Sequence, residues 1–126
     1  MATTPQVRVK RVYEEPGAED GCRVLVDRLW PRGLSKERAA LDEWLKAVAP
    51  SPELRRWYGH APDRFEEFAT RYRHELTDRE PSQALAHLRR LAADGPLTLL
   101  TAVKKPEISE AAVLLDLLAS PDGETR

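Results

Sequence analysis

Apolar residues in this chain come in short runs divided by proline, glycine and charge. The least interrupted run is Leu97-Thr98-Leu99-Leu100-Thr101-Ala102-Val103, between Gly95-Pro96 and Lys104-Lys105. A strand covered on both faces has this composition; a strand with one wet face would alternate. Arg23 to Asp27 holds Val24-Leu25-Val26 and predicts a second strand. Val7, Val9 and Arg11 alternate with Arg8, Lys10 and Val12 up to Tyr13, predicting a strand with one face more apolar. Residues 41–49 fit two patterns. Leu41, Trp44, Leu45 and Val48 have helical spacing, whereas Leu41, Glu43, Leu45, Ala47 and Ala49 alternate as in a strand. Both readings stand, with strand preferred because a parallel sheet needs another member.

Between these runs the pattern changes to the helical period. Ser35 caps a short turn at Lys36 to Ala40. Ser51-Pro52-Glu53 is a helix start, and that helix runs from Pro52 to Tyr58 and stops at Gly59. Pro62 and Asp63 open a longer helix whose stripe is Phe65, Phe68, Tyr72 and Leu76, ending near Thr77-Asp78. Ser82 is read as the cap of the next, with Leu85, Leu88 and Leu91 on its inner face. Pro106 and Glu107 are read as the start of the last helix. Its apolar positions wrap so far around that it is either widely buried or the surface for self-association. Glu14 to Gly21 and Leu29 to Ser35 are loops, and residues 1–5 and 120–126 are expected to be flexible ends.

Strands alternating with helices predict a single α/β domain over residues 1–126. The expected form is a small three-layer domain, a mostly parallel sheet with helices on both faces. The second and last strands should be interior and parallel. Phe65, Phe68, Tyr72, Leu85, Leu88, Leu99, Ile108 and Leu115 should share one core.

Composition narrows the setting. A chain of 126 residues buries roughly two-thirds of its unfolded surface without disulfides. Cys22 is the single cysteine, which suits a reducing compartment and excludes a cysteine-rich metal site. No leader-like apolar segment or membrane-length run occurs, so a cytoplasmic protein without membrane contact is expected. Net charge is −1 with both signs interspersed, which does not indicate nucleic acid as a partner; a local basic pocket keeps that partner open.

Candidate chemistry collects where strands end, because parallel sheets bind ligands outside their carboxyl ends. The second strand delivers Asp27 and Arg28 into a loop carrying Trp30 and Arg32, and the last delivers Lys104 and Lys105. Arg28, Arg32, Lys104 and Trp30 are therefore the ligand-binding candidates, suited to an anionic small molecule. Asp27 and His60 are the acid–base candidates. Each has a plainer alternative: ion pairs that fix the loop, packing for Trp30, a loop hydrogen bond for His60. No two histidines have ligand spacing and no glycine-rich phosphate loop occurs, so neither metal nor cofactor is expected. Cys22 lacks an activator and reads as an inert thiol.

The run Leu25-Val26-Asp27-Arg28-Leu29-Trp30-Pro31-Arg32-Gly33, followed by Leu41 to His60, resembles the YeaO-like branch of the domain of unknown function 488 family. The resemblance extends from about Val7 to about Leu118. It implies a small cytoplasmic α/β domain, an extended segment ending at Pro50 and no established reaction. Lys104 keeps the family's lysine. Lys105, Ile108, Ser109 and Glu110 stand where the resemblance leads one to expect an aspartate, a histidine and asparagines, which turns the reading away from catalysis. Two functions follow. One is binding of a phosphate-containing metabolite or nucleotide at the strand ends. The other is a small enzyme acting on such a ligand through Asp27 or His60, or a module for protein or nucleic acid.

Overall fold

A computed structural model describes residues 6–119. The two ends expected to be flexible lie outside these residues. The strands are β1 (Val7–Arg11), β2 (Cys22–Leu25), β3 (Glu43–Trp44) and β4 (Leu97–Thr101). The helices are α1 (Lys36–Ala39), α2 (Pro52–Tyr58), α3 (Phe65–Glu75), α4 (Arg79–Asp94) and α5 (Glu110–Ala119). All strand pairs are parallel, in the order β1-β4-β2-β3. The protein is a small α/β domain, with β2 and β4 interior as their apolar content requires. Val9 and Val24 flank Leu99 from either side.

Residues 41–49 divide between the two readings. Glu43–Trp44 pair with β2, and a 3-10 turn follows at Lys46–Val48. The ladder ends where the Leu45 N–H reaches the Leu25 carbonyl at 2.9 Å.

Alternation splits the sheet into two unlike faces. Val24, Val26, Leu97 and Leu99 meet Phe68, Tyr72, Leu88 and Leu114 from the long helices. Phe65 and Leu85 pack against this cluster; Ile108 and Leu115, expected in it, are only half-buried. On the other face Leu25 and Leu100 meet Val12, Leu34 and Ala39, with Trp30 and Trp44 beside them. Among the described residues that side is covered by the one-turn helix α1 and by loop segments that carry Val12, Trp30 and Leu41.

The thinly covered face carries charge toward its amino end. Asp20 is 2% exposed and accepts from Lys10 Nζ at 3.0 Å, the Gly17 N–H at 2.9 Å and the Arg23 guanidinium. Arg23 also donates to the Ala39 and Ala40 carbonyls at 2.8 and 2.9 Å. The Gly17 hydrogen bond, helped by Lys10 and Arg23, outweighs burial and lowers the Asp20 pKa from 3.8 to about 2. Next to it Gly21 has φ 65°, and a Cβ there would lie 2.2 Å from the Pro96 carbonyl oxygen. Only glycine permits this approach, which lets the Cys22 N–H bond Pro96 O at 3.0 Å and begin the β2–β4 ladder.

Two helix starts differ from the sequence expectation. Ser82 does not cap α4, which begins at Arg79 after Asp78. Pro81 is tolerated because first-turn N–H groups have no helical partner to lose, and Ser82 Oγ donates to Arg79 O at 2.9 Å. The last helix does not begin at Pro106. A 3-10 turn covers Pro106–Ile108, and α5 starts after Ser109, which is extended at φ −105°, ψ 174°. Ser109 Oγ donates to Pro106 O and accepts from the Ala111 N–H, so serine chemistry sets the start. No helix among the described residues is long and apolar enough to cross a membrane.

Candidate functional site

Asp27 follows β2, where the chain leaves the sheet. Its carboxylate accepts from Thr101 Oγ1 and from the Ala102 N–H, both at 2.8 Å. Its carbonyl accepts from Trp44 Nε1 at 2.7 Å. The end of β4 and the edge strand therefore hold Asp27 from two sides. Trp30 donates from Nε1 to Leu34 O at 2.7 Å and meets Trp44 edge-on, with centroids 5.3 Å apart. These contacts brace the loop. Arg28 reaches the Pro50 and Ala49 carbonyls at 3.3 and 3.4 Å, long contacts that tie the loop to the entry of α2.

Glu110, the first residue of α5, is 8% exposed and lies against Asp27. Burial raises its pKa well above the ordinary 4.5; its contact with Asp27 and the Asp27 charge raise it further, while a hydrogen bond from its own backbone N–H and, after it, Arg55 pull it down. Two carboxyls in contact repel when both are ionised, and one shared proton converts the repulsion into a hydrogen bond. Both Asp27 oxygens already accept from the fold, and burial favours the neutral form of Glu110. Burial, and then Glu110, also raise the pKa values of Tyr58 and Tyr72. Tyr58 OH donates to Ile108 O at 2.6 Å, and Tyr72 OH to Val48 O.

These groups border a cavity of about 270 Å³ at the carboxyl ends of the strands. Asp27, Arg28, Trp30, Arg32 and His60 all line it. Lys104 does not: it is exposed in the turn after β4, and only Ala102 and Val103 of that segment border the cavity. A 3-10 turn intervenes before α5, whose first residue, Glu110, borders the cavity. His60 is exposed and left-handed at φ 58°, its ring 6.0 Å from that of Tyr58. It lies at the rim, after the Gly59 that ends α2 at φ 54°.

Sequence reasoning missed Arg55, Tyr58 and Glu110. Arg55 and Tyr58 are three apart on α2 and share a face, a signal available once α2 was placed. Glu110 had been noticed only as a departure from a resembled pattern. Arg32 and Arg55 side chains make no hydrogen bond or ion pair among the described residues. No group of three or more His, Cys, Asp and Glu that could hold a metal occurs among the described residues. Burial raises the pKa of the Cys22 thiol, helped by Asp42 and Glu43, so the thiolate is disfavoured.

Fold and cavity together define a small parallel α/β domain with a mixed arginine and carboxyl pocket at its strand ends. The chain belongs to the DUF488 family: a model described as "Inactive DUF488-N3 subclade" matches residues 6–125. It is 51% identical over 118 residues to uncharacterised proteins of Mycobacterium tuberculosis and Mycobacterium bovis, covering 94% of this chain and 98% of each relative. It is 44% identical over 115 residues to the uncharacterised protein YeaO of Escherichia coli K12, covering 90% and 97%. No solved structure matches.

Proposed function

We propose that the protein binds an anionic small molecule, a phosphate-containing metabolite or nucleotide, in the cavity at its strand ends. The observation that carries the reading is the presence of Arg28, Arg32 and Arg55 around one cavity walled by Trp30, Tyr58 and Phe68. Arginines offer paired donors to phosphate oxygens, and apolar walls exclude the water that would compete. The family description "Inactive" supports binding over turnover. The Asp27–Glu110 pair supports a second reading, an enzyme in which Glu110 donates a proton and Asp27 holds it in place. A metabolite consumed on incubation with the protein would favour this second reading.

Phosphate should raise the melting temperature more than chloride at equal ionic strength, because a ligand of the native state stabilises by mass action. Arg32→Ala should remove that excess while leaving stability within about 0.5 kcal/mol, as expected of an exposed side chain. Equal effects of phosphate and chloride on the wild type would end the anion reading.

A further inference from the structure

The arginines explain an anion but not the floor of the cavity. There the Asp27 and Glu110 carboxyls both line the cavity, and Glu110 is 8% exposed. A bare anion would gain at the arginines and be repelled at the carboxyls. The Glu110 carboxyl meets Asp27 and its own backbone N–H, and with two lone pairs on each oxygen it keeps acceptor capacity beside the cavity. Arg55, Tyr58 and Tyr72 interact with Glu110, and Arg28 and His60 share the cavity lining with it. Tyr58 and Tyr72 spend their hydroxyl protons on backbone carbonyls, so neither fills that acceptor. Between floor and mouth the walls are Trp30, Tyr58 and Phe68. At the mouth stand Leu29 and Tyr13, 62% and 39% exposed, the exposed large hydrophobics among the described residues.

Resting on the anion-binding reading above, we infer that the cavity reads two groups of one ligand, an anion at the arginines and a hydroxyl at the Asp27–Glu110 floor. The ligand class is a hydroxyl-bearing phosphate ester whose carbon framework crosses the apolar walls. The hydroxyl donates to the carboxyl pair and turns a repulsive floor into a specific one. Glu110 is then a specificity residue, and a phosphate ester without a hydroxyl is a poor ligand.

Calorimetric titration with glycerol 3-phosphate, ethyl phosphate and inorganic phosphate tests this at one pH, since the two esters present the same anion. The wild type should bind glycerol 3-phosphate about tenfold more tightly than ethyl phosphate, the size of one hydrogen bond to a charged pair. Glu110→Leu should abolish that preference. Glu110→Gln, which keeps an acceptor oxygen in the same place, should retain it. Equal wild-type affinity for the two esters overturns the hydroxyl subsite and leaves the anion site standing, as does a folded Glu110→Leu protein that keeps the preference. Binding of none of the three compounds overturns both. If Glu110→Leu fails to fold, carbon NMR of the wild-type glutamate carboxyls decides. The Glu110 resonance should move with glycerol 3-phosphate and stay with ethyl phosphate; equal movement with both overturns the inference.

Discussion

Two buried carboxyls lie near opposite ends of the same sheet and are treated in opposite ways. Asp20, by the amino end, is surrounded by donors, and its pKa falls to about 2. Glu110, at the carboxyl end, is set against Asp27, and its pKa rises. Strand β4 serves both regions with a threonine. Thr98 Oγ1 donates to the Asp20 carbonyl at 2.7 Å, and Thr101 Oγ1 to the Asp27 carboxylate at 2.8 Å. The first arrangement is closed, with every charge answered inside the protein. The second leaves arginines and a carboxyl pair facing a cavity. Charge is answered within the fold at Asp20, whereas at the other end Arg32 and Arg55 make no side-chain hydrogen bond among the described residues, which is the basis of the proposed anion site.

The comparison is broken most severely at Asp20. Asp20→Ala leaves Arg23, 4% exposed, without its carboxylate and should cost roughly 3–5 kcal/mol in denaturant melts. The wild-type contribution is present above the unfolded value near 3.8 and is lost as pH falls toward about 2. Acid unfolding should therefore lose a component in the variant. A loss under about 1 kcal/mol would show that the pair contributes little.

The threonines come next. Thr98→Val removes a bond in a site that water does not reach, and should cost roughly 1–3 kcal/mol. Thr101→Val frees an Asp27 oxygen beside the cavity, where water can replace the hydroxyl, so its cost should be smaller. The reverse order in urea melts would mean that the carboxyl end is the more rigid.

Glu110→Gln should have the least effect, about 1 kcal/mol or less, and its sign is the informative part. A raised folded pKa means the glutamate's contribution is full below about 4.5 and is lost as pH rises through the raised value. Glutamine cannot ionise. The variant should equal the wild type near pH 4 and be the more stable of the two above neutrality. A less stable variant at high pH would mean that the ionised glutamate has a favourable partner.

Legibility in the sequence followed the range of the physics. The order Leu97 to Thr101 reads as an interior strand because each residue reports its own burial. Gly59 and Ser51 mark the limits of α2 because capping is local. Ser82 misled because a proline before a serine looks like a boundary, while the first helical turn accepts proline freely. Residues 41–49 were ambiguous because they are both things, a two-residue strand and a 3-10 turn. Asp27, Arg28 and Arg32 could be placed at the cavity because the parallel-sheet rule says where strands deliver side chains. Lys104 met the same rule but lies outside the cavity lining, because β4 ends at Thr101 and Lys104 sits exposed in the turn beyond it. Glu110 was out of reach for another reason. A glutamate at a helix start is ordinary, and only the fold brings it to Asp27.

The strand order also sets a schedule for folding. β4 separates β1 from β2, and both complete their pairing only against it. During synthesis the first two strands emerge long before their common neighbour, with only the short β3 available to β2. The sheet is thus built from distant contacts, which slows folding and leaves strand edges open meanwhile. A fragment of residues 1–96 should show no slow-exchanging amides in β1, whereas the whole chain should protect them. The arrival of β4 decides when the first strand stops being a hazard.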